Sequence, residues 1–171
     1  VADLATGPGE ANADKTVWTY KLQSGLKFSD GEPITSKDIK YGIERLFATD
    51  VINGGPSSYY LSLLTPKEGY KGPYADPTGD LSTVKTPDDT TIEFDLSKPF
   101  ADFDYLMALP TSAPVPKAKD TKADYGKNVI ASGPFMFKSF TPNKETTWVR
   151  NPNWSQATDK IRTPKVDSVT Q

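Results

Sequence analysis

The chain has 171 residues, 20 Lys and Arg against 22 Asp and Glu, a net charge of -2, and neither histidine nor cysteine. A catalytic triad, a cysteine nucleophile, a zinc site or a redox disulfide built on those side chains is therefore excluded. The acidic balance, with no basic patch to offset it, argues against nucleic acid as a partner. No apolar run approaches the roughly 20 residues needed to span a bilayer, so the chain as written is expected to be soluble.

Residues 1–16, through Gly7-Pro8-Gly9, carry almost no apolar periodicity and read as an irregular lead-in. From Val17 the chain alternates, with Trp18, Tyr20 and Leu22 on one side, which predicts a half-buried strand with Trp18 in the core. Ser24-Gly25 turns it, and Leu26 and Phe28 continue the apolar face to an Asp30-Gly31 turn. Thr35 is placed to cap a helix, with Asp38 three residues on as its capping-box partner, and Ile39, Ile43, Leu46 and Phe47 share one face. Residues 53–80 read mostly as connection, with one or two helical turns near Leu61, Leu63 and Leu64.

Residues 81–96 predict a hairpin turning at Pro87-Asp88-Asp89. Residues 101–109 are helix-like until Pro110, Pro114 and Pro116 stop them. A second hairpin runs from Phe135 through Thr141-Pro142-Asn143-Lys144 to Arg150, and the tail from Val166 to Val169 looks like the start of a strand. Hairpins with two or three helices and no βαβ alternation give an α+β fold class.

The chemistry left to such a chain is carboxylate or serine chemistry. Asp88-Asp89 reads as turn chemistry, Asp102 and Asp104 as acids at a helix start, and Asp76 to Asp80 lacks the spacing and closing Glu of a calcium loop. Ser36 and Lys37 are helix neighbours whose side chains point apart. The reading is not an enzyme, and it calls for no cofactor and no metal. Among the 19 aromatic residues, Tyr59 and Tyr60 sit in a Gly/Ser-rich stretch where core and ligand roles stand even. With Trp154 they define an alternative, a self-contained extracellular module that recognises carbohydrate or protein through exposed rings.

The run Trp18-Thr19-Tyr20-Lys21-Leu22-Gln23-Ser24-Gly25-Leu26-Lys27-Phe28-Ser29-Asp30-Gly31-Glu32-Pro33-Ile34-Thr35, followed by Asp38-Ile39-Lys40-Tyr41 and Glu44-Arg45, closely resembles the signature block of family 5 extracellular solute-binding proteins, the peptide, dipeptide and nickel receptors of ABC importers. Three later blocks agree in order: Thr86-Pro87-Asp88 into Phe94-Asp95-Leu96, then Pro114-Val115-Pro116-Lys117, then Ser132-Gly133-Pro134-Phe135 leading to Val149-Arg150-Asn151-Pro152-Asn153-Trp154. Family members are several times longer and fold as two lobes in a type II periplasmic-binding-protein-like α/β arrangement. The resemblance therefore implies an excised piece: residues 17–150 as an α+β subdomain attached to the first lobe, and 151–171 as a return segment towards the rest of that lobe.

It further implies capture of a peptide or other small solute by lobe closure, a membrane permease as partner, and an extracellular or periplasmic location, with any membrane attachment through a lipid anchor outside this chain. In the family the loop before the Pro-Val-Pro block lines the cleft; here that loop is Met107 to Ser112, which makes Met107, Leu109 and Ser112 cleft-wall candidates beside Tyr59 and Tyr60. Leu109 and its neighbours carry no charged side chain or histidine of the kind some members place there, which speaks against a metal complex as the solute.

Overall fold

In the computed structural model, which describes residues 3–66 and 69–171, the alternation from Val17 forms a strand, Val17–Lys21 (β2), with Trp18, Tyr20 and Leu22 buried. A two-residue strand, Glu10–Ala11 (β1), pairs with it antiparallel, and Ala5 bridges to Leu22. The lead-in is therefore less irregular than its composition suggests. Its order comes from polar turn chemistry: the Asn12 side-chain oxygen accepts from the amides of Thr16 and Val17 at 3.0 Å each, while Lys15 takes a left-handed backbone.

The hairpin of Val84–Asp88 (β3) and Thr91–Asp95 (β4) completes a four-stranded antiparallel sheet in the order β1-β2-β4-β3. Its turn lies at Asp89-Thr90, one residue beyond the predicted centre, because Asp88 accepts hydrogen bonds from Thr91 Oγ1, Thr90 Oγ1 and the Thr90 amide, which hold its carboxyl well below the usual carboxylate range. Pro87 is tolerated in β3 because that strand is at the sheet edge, where its missing N–H interrupts no shared ladder. Register places Trp18 opposite Phe94 and Tyr20 opposite Ile92, so one sheet face is a continuous apolar surface.

The helix Ser36–Arg45 (α1) covers part of that surface with Ile39 and Ile43. The capping box is formed: the Thr35 side chain accepts from the Asp38 amide, and the Asp38 carboxylate reaches back to accept from the Thr35 amide at 2.8 Å and also from the Thr35 hydroxyl at 2.8 Å. Two shorter helices, Ser57–Leu63 (α2) and Phe103–Met107 (α3), close the core; Phe103 is fully buried against the rings of Trp18, Tyr20 and Phe94. Asp102 precedes α3 but makes no side-chain cap. Asp104 instead accepts from the Gly9 amide and the Tyr20 hydroxyl, both at 2.9 Å, pinning the lead-in to the helix.

The other side of α1 meets residues 113–125. Tyr41 packs with Val115 and Tyr125, and the Val115 amide donates to the Asp38 carbonyl. A polar cluster lies alongside: Asp120 Oδ2 accepts from Tyr74 (2.6 Å), Tyr41 (2.8 Å) and Arg45 Nε (3.2 Å), and the guanidinium stacks over the Tyr125 ring. Gly42 lets this face close. A Cβ there would stand 2.4 Å from the Ala113 carbonyl oxygen. Alanine is the better helix former by about 1 kcal/mol, yet the obstacle is backbone held by the Val115–Asp38 bond. Gly42→Ala is therefore expected to destabilise the chain by about 1–3 kcal/mol, read as a lower urea midpoint at unchanged slope.

A second antiparallel sheet, order β5-β6-β7, contains Phe135–Thr141 (β5), Glu145–Arg150 (β6) and Ser168–Thr170 (β7), the last being the strand anticipated in the tail. Residues after β6 tie it to the unit of the first sheet. Asn151 Nδ2 donates to the Gly133 carbonyl, Asn153 Nδ2 to the Ser29 carbonyl, and Arg162 bridges Asp3 and Asp159.

Candidate functional site

The predicted cleft loop begins where α3 ends. Pro110 cannot extend the helix, and Pro110–Ser112 form a single 3-10 turn. Ser112 closes it: its Oγ lies 2.7 Å from the Met107 carbonyl and 2.8 Å from that of Leu109, its one proton shared between two acceptors left over at the helix end. The result is a loop of defined shape presenting Met107 and Leu109, each half-buried with its inner side on the core.

Tyr60 stands behind this loop. It is fully buried in α2, and its hydroxyl donates to the Leu106 carbonyl at 2.6 Å, joining α2 to α3; burial pushes its phenol up from the ordinary value. Tyr59, one position earlier and about 100° around the helix, is 59% exposed. The two tyrosines thus do not form a joint platform. Trp154 lies elsewhere, with its indole N–H on Asp159, in a small cavity that also contains Leu4, Leu26 and Arg162. The surface of three rings on which a free-standing module would depend is not assembled.

Apart from Asp102, the carboxylates singled out in the sequence are engaged within the structure. Asp89 pairs with Lys37, Asp80 with Lys40, and Asp76 accepts from Thr78. Among the described residues no group of three or more His, Cys, Asp or Glu side chains could hold a metal ion. A larger open groove of about 680 Å³ lies away from the loop, on the second sheet, between Phe135, Trp148, Arg162, Pro164 and Val169.

The sequence model of the bacterial extracellular solute-binding proteins, family 5 (middle) matches residues 1–171. The chain belongs to this family. It is 33% identical to the periplasmic oligopeptide-binding protein OppA of Escherichia coli K12, over 92% of this chain and 31% of that protein, and 32% identical to the probable D,D-dipeptide-binding periplasmic protein DdpA of the same organism, over 89% and 27%. Among solved structures, the clavulanic acid biosynthesis oligopeptide binding protein 2 superposes with a TM-score of 0.94 at 47% identity, covering 98% of this chain and 30% of that one. Listeria monocytogenes OppA bound to peptide gives 0.76 at 28% identity, covering 99% and 33%. The family 5 chain thus spans between 27% and 33% of the length of these relatives, and its α+β unit is one part of their periplasmic-binding fold.

In this family 5 chain the structure brings Met107, Leu109 and Ser112 together on one turn, with Tyr60 supporting them from the core and Tyr59 on the outer side of α2. Tyr105, 78% exposed on α3, is an aromatic that the sequence reading passed over. The signal was present: on a helix, positions 103 and 105 fall about 200° apart, so a buried Phe103 places Tyr105 outside.

Proposed function

We propose that this chain is part of the substrate-binding component of an ABC importer, a non-enzymatic receptor that captures oligopeptides outside the cytoplasmic membrane by closure of two lobes. The carrying observation is the superposition at TM-score 0.94 over 98% of the chain on the clavulanic acid biosynthesis oligopeptide binding protein 2. Match of the family over residues 1–171 supports the same reading.

Within it, the Met107–Ser112 turn contributes to the cleft wall of the first lobe, with Leu109 and Met107 offering apolar contact and the Ser112 hydroxyl holding the turn rather than meeting the ligand. Tyr59 borders this wall, and Tyr60 acts from behind it through the Leu106 carbonyl. A pocket that buries most of its ligand needs two facing walls, so closure against a second lobe completes the site and presents a closed form to the permease. With no charge at Leu109, the wall suits a peptide side chain or backbone better than a chelated metal.

The test is calorimetric titration of short oligopeptides into the receptor at the full length of its relatives. The native receptor binds at micromolar concentration or below, and Leu109→Asp weakens binding by about tenfold or more, that is about 1.4 kcal/mol. Unchanged affinity in Leu109→Asp removes the loop from the wall; absence of peptide binding by the native receptor rejects the function.

A further inference from the structure

Between Pro116 and Lys127 the chain makes two 3-10 turns, Lys117–Lys119 and Lys122–Lys127, on the surface beside α1. Lys117, Lys119 and Lys122 are exposed, and among the described residues none is in ion-pair contact with a carboxylate, the charge of Lys117 acting only at longer range on Glu44. The composition hides this local charge, because Asp120 lies in the middle of the stretch. Folding takes that carboxylate inward: its side chain is 2% exposed and committed to Arg45, Tyr41 and Tyr74. Asp124 is paired with Lys127 and cancels locally.

Two of the three amines are held in place. Lys117 stands over the Tyr41 ring at 5.6 Å and Lys122 over the Tyr74 ring at 5.5 Å, both rings belonging to the buried cluster beneath. Lys122 also keeps a left-handed backbone (φ 59°), secured by its amide on Asp120 Oδ1 and its carbonyl on Arg45. For a side chain with a Cβ this conformation costs free energy and persists only where the surroundings impose it.

We propose that Lys117, Lys119 and Lys122 form a fixed positive face that seats the protein on an anionic lipid surface. The choice of lipid over a defined acidic peptide follows from the donors. They are ammonium groups, compact and strongly hydrated, and the neighbouring guanidinium of Arg45 is committed to Asp120 and not free to grip a carboxylate in two-point fashion. Such a face responds to the smeared potential of anionic headgroups, and its effect falls off within a Debye length. The inference rests on the chain's own charges and not on the peptide-receptor reading, so either stands without the other.

The experiment is flotation of the full-length protein with phosphatidylcholine vesicles containing 30% phosphatidylglycerol, against pure phosphatidylcholine, at about 50 and 300 mM salt. Binding is expected only with the anionic lipid and is expected to weaken at the higher salt. Each lysine lost should lower partitioning about fivefold, so the K117Q/K119Q/K122Q variant falls on the order of 100-fold. The K138Q/K144Q/K165Q variant, with the same change in net charge on exposed residues elsewhere, should lose far less. Circular dichroism confirms that both fold. Equal losses in the two variants, no dependence on lipid charge, or retention on immobilised polyglutamate without vesicle binding would each overturn the proposal.

Discussion

Phe103→Ala is expected to cost the fold about 3–5 kcal/mol, the range for truncating a buried aromatic. Phe103 has no exposed surface and meets three other rings, with centroids 5.1 Å from Phe94, 5.9 Å from Trp18 and 6.5 Å from Tyr20. Those partners come from β2 and β4, while Phe103 is the first residue of α3, so its ring packs the helix onto the sheet beside the Tyr20–Asp104 hydrogen bond. The neighbours cannot collapse into the space. Trp18 and Phe94 are fixed opposite each other by the β2–β4 register, and the Tyr20 hydroxyl is tied to Asp104. A loss of this size is a large share of the 5–15 kcal/mol that a domain usually has. Urea unfolding followed by tryptophan fluorescence measures it; a loss below about 1 kcal/mol would mean that the cluster is not the centre of the core. Because α3 leads directly into the Met107–Ser112 turn, the proposed function predicts that the same variant in the full-length protein also weakens peptide binding.

A comparable loss, about 3–5 kcal/mol, is expected for Asp120→Ala. The reason differs. Removing the carboxylate leaves the Arg45 guanidinium, whose side chain is only 12% exposed, without its counter-charge, and takes the acceptor from the Tyr41 and Tyr74 hydroxyls. Breaking one half of a buried pair costs far more than the pair contributes, because the stranded charge cannot be rehydrated in place. Asp120 also gives an acid signature. Burial pushes its carboxyl up, but the hydrogen bonds from Tyr74 and Tyr41 and the charge of Arg45 outweigh that and leave it below the ordinary value of 3.8. A carboxyl with a depressed folded value contributes stability that is fully present above about pH 4 and is lost as pH falls below it. Native stability should therefore drop on acidification in that window, and the drop should be smaller in Asp120→Ala. Identical acid limbs in the two proteins would contradict the assignment.

Much of the fold is legible because its signals are local. Alternation at Trp18, Tyr20 and Leu22, the Thr35–Asp38 cap and the Asn143 turn each lie within a few residues and leave the chain few other conformations. Pairings across long separations are not legible in that way. Nothing near Trp18 announces Phe94, and nothing near Arg45 announces Asp120, 75 residues on, so the sheet order and the buried cluster emerge only from the folded chain. β1 was missed because two residues stabilised by an Asn side chain leave no apolar period.

The candidate loop itself came from resemblance to a family, since Met107, Leu109 and Ser112 have no spacing that marks a site. What the structure adds is the lock made by the Ser112 hydroxyl on two carbonyls, invisible in sequence because its partners are backbone atoms. Tyr59 and Tyr60 could not be told apart while their segment read as connection. Once α2 exists, helical rotation sends one ring outward and the other into the core.

The central claim is that this chain supplies one wall of a peptide site and not a whole site. Calorimetric titration of the same oligopeptides into the 171-residue chain and into the full-length receptor tests it most directly. The account predicts micromolar or tighter binding by the receptor and none by the chain at millimolar peptide. Micromolar binding by the chain alone would contradict it and make this unit a complete recognition module.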